Sequence, residues 1–93
     1  MKKIESGKFR RWLKKLKDEK GKARIIARIN RIMEGLPGDV APVGQGVSEL
    51  RIHYGPGYRV YFHQKDDQII ILLCGGDKDR QARTIYYRST WNR

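Results

Sequence analysis

The chain has one cysteine, Cys74, in 93 residues. An internal disulfide is therefore excluded, and a reducing, cytoplasmic setting is expected. Histidine is almost as scarce. His53 and His63 are the only two and stand 10 positions apart, so the ligand spacing of a structural zinc site is missing. No metal and no cofactor are expected. No run is long or apolar enough to span a bilayer, and the opening MKKIESGKFRR lacks the apolar segment of a secretory signal; a membrane partner is not expected. Internal repeats, low-complexity tracts and interdomain linkers are missing too. Acidic residues are in the minority, with 10 Asp and Glu against 21 Lys and Arg.

What remains is a small globular composition. Hydrophobic residues make up 39% of the chain, with two Trp, five Tyr and two Phe among them, enough for one modest core in a single domain spanning 1–93. The net charge of +11 on so small a body attracts polyanions: RNA, DNA, an anionic membrane surface or an acidic protein would all respond to it.

The hydrophobic period divides the chain in two. A short strand is expected at Lys2–Glu5. Ser6 is placed to cap a helix in which Phe9, Trp12, Leu13 and Leu16 recur at helical spacing, with Arg10, Arg11, Lys14, Lys15 and Lys17 on the other side. Asp18 is placed to cap a second helix. Its expected apolar stripe is Ala23, Ile26, Ile29 and Met33, widened by Ile25 and Ile32, and Gly35 with Pro37 ends it. The stretch LPGDVAPVGQG reads as a Gly/Pro loop. Beyond it the period becomes two, and residues 47–54, 58–64 and 68–74 read as strands joined by the short turns GPG and KDD. Residues 69–73 are apolar at every position, which predicts a central strand covered on both faces. A short helix is expected from 78 to about 88. The expected architecture is α+β: two N-terminal helices packed on a small, three- or four-stranded, mostly antiparallel sheet.

Strand alternation sorts the cations of ELRIHYGPGYRVYF. Leu50, Ile52 and Tyr54, with Tyr58, Val60 and Phe62, fall on one face. Glu49, Arg51 and His53, with Arg59, Tyr61 and His63, fall on the other. A three-residue GPG loop would pair Ile52 with Val60, His53 with Arg59 and Arg51 with Tyr61. Taken singly, Arg51 or Arg59 reads as a solvated arginine on a half-exposed sheet. Six such positions on one face read as a binding or catalytic surface, because Arg and Tyr grip phosphates and stack on bases. The two guanidinium groups are expected to meet one RNA phosphate. Gly75-Gly76 at a strand end reads as a turn or a point of close approach, and brings Lys78 to the rim of this face. Cys74 reads as packing, since no His–Asp pair is placed to activate it.

The segments FRRWLKKLKD, KARIIARINRI, GDVAPVGQGVSELRIHYGPGYRVYF and ILLCGGDK together resemble the RelE/ParE superfamily of type II toxins, and more closely its HigB-like, phage-derived Gp49-like branch of addiction-module killer proteins. The resemblance spans roughly residues 9–78. It implies a RelE-like fold and a metal-independent endoribonuclease, an mRNA interferase that cuts mRNA on the ribosome by attack of the 2′-hydroxyl on the neighbouring phosphate. It implies catalytic roles for Arg51, His53, Arg59 and Lys78, with Arg59 as phosphate ligand and His53 as acid or base. Substrate contacts fall to Tyr61, stacking on a base, to His63, and to Tyr86 or Tyr87 as the counterpart of a C-terminal aromatic residue. The implied partner is a cognate antitoxin with an acidic binding segment, often a helix-turn-helix protein, in a hetero-oligomer. An alternative within the same superfamily is a ParE-like toxin that poisons DNA gyrase without nuclease activity, and a third is a relic that only binds its antitoxin.

Overall fold

The computed structural model describes residues 1–77. Its elements are β1 (Lys2–Glu5), α1 (Gly7–Lys15), α2 (Glu19–Met33), β2 (Val40–Gly44), β3 (Val47–Ile52), β4 (Tyr58–Lys65) and β5 (Ile69–Asp77). Both helices start where capping chemistry predicts. The Ser6 hydroxyl accepts from the Phe9 N–H and donates to the Leu73 carbonyl, so the cap also ties α1 to β5. The Asp18 carboxylate accepts from the Gly21 N–H and from the Tyr58 hydroxyl, which ties the start of α2 to β4. Gly35, at φ +80, ends α2. The amides of Gly35 and Leu36 turn back to the carbonyls of Ile32 and Arg31.

The sheet corrects the expected architecture. The class is α+β, but the small antiparallel sheet is replaced by five strands in the order β1-β5-β4-β3-β2. It is mixed, since β1 runs parallel to β5 while the other neighbours are antiparallel. The missed strand, β2, lies inside the supposed Gly/Pro loop. As an edge strand it tolerates Pro42, whose missing N–H is not needed on its outer side. The central strand is β4. The apolar segment at 69–73 belongs to β5, which lies one place in from the edge under β1.

The hairpin register also differs from expectation. β3 stops at Ile52 and the connection runs through 53–57, where Gly55 and Gly57 take positive φ of 57 and 83. The pairs are therefore Ile52↔Tyr58, Leu50↔Val60, Arg51↔Arg59, Glu49↔Tyr61 and Val47↔His63. A slip of two positions leaves every side chain on its predicted face, but Arg51 now stands directly across from Arg59. Residues 75 and 76 continue β5 instead of turning. A Cβ on Gly75 would lie 2.4 Å from two ring atoms of Trp12, so the glycine serves close approach of the α1 indole to the strand.

The helices cover one face of the sheet. Phe9, Ile25, Ile29 and Ile32 pack there with Leu50, Ile52, Tyr58, Val60, Phe62, Ile70 and Leu72. The stripe of α2 is rotated from the predicted one: Ile25 and Ile32 are buried, and Ile26 is 40% exposed. On the opposite face Val47, Tyr61 and Cys74 form a small separate cluster with Val43 and Leu73 at its border. No helix among the described residues is long and apolar enough to cross a membrane.

Candidate active site

The face away from the helices is built by alternate residues of β3 and β4. Glu49 and Arg51 point to it from β3, and Arg59, Tyr61 and His63 from β4. Two arginines directly opposed on one face repel unless an anion lies near. For Arg51 that anion is internal. Its Nε donates to Oε1 of Glu49 at 3.0 Å, and its Nη1 lies 3.8 Å from Oδ1 of Asp39. The Arg51 amide also donates to the Asp39 carbonyl. The Glu49 bond is the main cause that raises the Arg51 pKa. Arg51 is thus held by carboxylates, and the expected pair of open guanidinium groups on one phosphate is not what the sheet presents.

Glu49 itself is only 5% exposed. Its other oxygen accepts from the Tyr61 hydroxyl at 2.7 Å. Tyr61 is 1% exposed, so its ring packs with Val47 and Cys74 and is not offered as a stacking surface. Cys74 lies in the same cluster, and burial pushes its thiol up to about 11.

Arg59 differs from Arg51. It is half-buried, and among the described residues it makes no hydrogen bond or ion pair. Beside it opens a hollow of about 510 Å³ lined by His53, Tyr54, Gly55, Pro56, Gly57 and Arg59, with Ile52 at its base. His53 lies past the end of β3, not opposite Arg59 in the ladder, and its side chain is 72% exposed. Its Nε2 meets Oδ2 of Asp39. This contact is the largest cause that holds the Asp39 carboxyl below its usual range, with Arg51 and Arg28 adding to it. A carboxylate on one ring nitrogen fixes the ring's orientation and tautomer and leaves the other nitrogen to act on a ligand. The hollow therefore brings together a guanidinium with no ion pair among the described residues and an oriented imidazole.

His63 is placed elsewhere. Its Nδ1 lies 2.7 Å from the Gly46 carbonyl at the far end of the hairpin, across from Val47. Lys78, Tyr86 and Tyr87 lie outside the described residues. Sequence reasoning missed Asp39 and Arg28, and missed that Glu49 binds Arg51 and Tyr61. Arg28 donates from α2 to the carbonyls of Arg51 and Pro37 at 2.9 and 3.0 Å, and so clamps the segment that carries Asp39 against β3. Glu49 was visible as an acid two residues before Arg51, hence on the same face. Nothing local links Asp39 or Arg28 to the site.

Residues 11–89 match the family model described as Phage derived protein Gp49-like (DUF891). The chain is also 49% identical over 77 residues to an uncharacterized protein of Haemophilus influenzae, an alignment that covers 83% of this chain and 78% of the relative.

Proposed function

Because the chain belongs to the Gp49-like family, we infer that it is the toxin of a toxin–antitoxin module and that it cleaves mRNA on the ribosome from the hollow between His53 and Arg59. The single observation that carries this reading is that hollow, where Arg59, with no carboxylate partner among the described residues, and an Asp39-held His53 face the same space. In the reaction proposed, Arg59 binds the phosphate through its planar fork and stabilises the charge that grows on the phosphoryl oxygens. His53 takes the proton of the 2′-hydroxyl, the 2′-oxygen bonds to phosphorus, and the bond to the 5′-oxygen breaks as that oxygen leaves and takes a proton from a water molecule. The products are a 2′,3′-cyclic phosphate and a 5′-hydroxyl. Metal-independent action follows from this assignment of roles. Arg51 acts as a positioning residue, since it holds Asp39 and through it His53. The antitoxin proposed is an acidic partner, as the charge of +11 favours.

One observation favours a second reading. With Arg51 neutralised by Glu49 and Asp39, a gyrase-poisoning toxin with the same fold needs no stronger cationic face than this one. The two are separated by expressing wild-type and Arg59→Ala chains in cells, mapping mRNA ends and scoring DNA damage. Arg59→Ala is expected to abolish growth inhibition and cleavage while leaving the fold and antitoxin binding intact. DNA damage without mRNA cleavage selects the gyrase reading, and a folded Arg59→Ala chain that stays fully toxic refutes the nuclease.

A further inference from the structure

The hollow at Arg59 continues past the hairpin tip. A second hollow of about 270 Å³ is lined by Arg24, Arg28 and Arg31 of α2 together with Ile52, His53 and Tyr54. Those last three residues line both hollows, so the two meet across a rim made by His53 and Tyr54. Positions 24, 28 and 31 recur at i, i+4 and i+7, which sets the three guanidinium groups along one stripe of α2 about 10 Å long. Arg24 lies over the Tyr54 ring, 4.6 Å from its centroid. Arg28 is fixed by two backbone carbonyls, neutral acceptors that orient the fork without cancelling its charge. Arg24 and Arg31 make no ion pair among the described residues. Asp39, the carboxylate that meets His53 at this rim, is already shared by His53 and Arg51.

Resting on the nuclease reading, we propose that Arg24, Arg28 and Arg31 form a second phosphate-binding track, which holds the single-stranded RNA that flanks the phosphate at Arg59, with the chain crossing at the His53–Tyr54 rim. Single-stranded RNA fits better than an acidic peptide because the cations are planar guanidinium groups set around an aromatic rim. Bases stack on such rings and on arginine planes, whereas a carboxylate ligand uses neither. The basic face of α1, with Lys14 and Lys15, lines neither of these hollows and serves as a matched control.

The test is equilibrium binding of the full chain to fluorescent 2′-O-methyl oligoribonucleotides, which resist 2′-hydroxyl attack, over a series of salt concentrations. An R24Q/R31Q chain is expected to weaken binding of a long oligonucleotide and to flatten its log K against log salt slope by about 1.4, from two lost phosphate contacts at about 0.7 each. It should bind a trinucleotide as wild type does. Arg28 is left in place because it clamps the 37–39 segment. A K14Q/K15Q chain is expected to keep the wild-type slope. Equal flattening by both double variants overturns the track, since total charge then explains the affinity. Loss of poly-glutamate binding in R24Q/R31Q with RNA binding unchanged assigns the stripe to an acidic protein and overturns it as well. An unchanged R24Q/R31Q slope, with trinucleotide binding still lost in Arg59→Ala, overturns the track alone. Trinucleotide binding that survives Arg59→Ala overturns the active-site reading instead.

Discussion

Gly75→Ala tests how β5 is held against α1. The new Cβ would lie 2.4 Å from Cε3 and Cζ3 of Trp12, where ordinary contact begins near 3.4 Å. The indole must therefore retreat by about 1 Å, or the strand must shift. Neither is easy. Trp12 is tilted against Phe9 at 5.9 Å between ring centroids and meets Tyr58 edge-on at 6.3 Å, and aromatic contacts of this kind contribute about 0.5–1.5 kcal/mol each beyond buried area. Overpacking a core commonly costs about 1–3 kcal/mol. Alanine also narrows the unfolded ensemble, which returns about 0.4–1 kcal/mol. The net expectation is a loss of about 2 kcal/mol, or about 8–16 °C in Tm for a domain of this size.

Thermal unfolding followed by circular dichroism measures this loss, and a double-mutant cycle assigns its cause. Trp12→Leu removes the ring atoms that the methyl group would strike. In that background Gly75→Ala is expected to cost less than about 0.5 kcal/mol, which gives a coupling above about 1 kcal/mol. A Tm within about 2 °C of wild type for Gly75→Ala, or an equal loss in both backgrounds, refutes the steric account. The outcome bears on the site because Gly75 pairs with Val60 and the neighbouring pair is Arg59↔Gly76. The strand that presents Arg59 is positioned by the strand that Trp12 presses.

The Tyr58–Asp18 bond predicts pH limits of opposite sign. Burial first, then the Asp18 bond, raises the Tyr58 phenol to about 12, against about 10 in an unfolded chain. Stability from this group is present below pH 10 and declines as pH rises toward about 12; Tyr58→Phe should flatten that alkaline decline in a pH series of unfolding curves. Asp18 is lowered by the Gly21 N–H and then by Tyr58. Its contribution is present above the usual carboxylate range and is lost as pH falls through it, and Asp18→Asn should weaken that acid limb. Cys74, with its thiol at about 11 and 1% exposed, should react with an aromatic disulfide reagent at neutral pH only as fast as the chain opens. Immediate stoichiometric labelling of the native chain would contradict its burial.

The sequence revealed those elements whose signals are local. Ser6 and Asp18 are capping residues followed by helical spacing, and both cap as read. The strand at Lys2–Glu5 was legible, but its parallel pairing with β5 was not, because a partner more than 60 residues away leaves no trace in a four-residue segment. Strand β2 was hidden by its own chemistry. Pro42 and Gly44 are turn residues in most settings, and a mid-strand proline is tolerated in a ladder only at an edge or a bulge. The α2 stripe was rotated because Ala23, Ile25, Ile26, Ile29, Ile32 and Met33 together span about half of the helix circumference. Several phases fit such a pattern, and packing on Leu50 and Ile52 selects the one that buries Ile25, Ile29 and Ile32. The turn is two residues longer on its β3 side than the expected GPG, since β3 stops at Ile52 and the connection runs through 53–57, with positive φ at Gly55 and Gly57.

The site divides along the same line between local and distant signals. Alternation put Arg51 and Arg59 on one face, and a register slip of two could not undo that. Alternation says nothing about which carboxylates reach them. Glu49 was within reach by the same rule, two positions before Arg51 on the same strand, and was read as a neighbour when it is a ligand. Asp39 arrives from the segment taken for a loop, and Arg28 clamps that segment from a helix face that reads as solvated. Two cations that look equivalent in ELRI and GYRV therefore end in different electrostatic states. Arg51 is neutralised and spends its hydrogen bonds on Glu49 and Asp39, while Arg59 keeps its charge toward the hollow. Asp39 in turn orients His53 into the same hollow. The expected pair of open arginines is replaced by one arginine and one carboxylate-held imidazole lining the same hollow, and it is on that pair that the proposed chemistry rests.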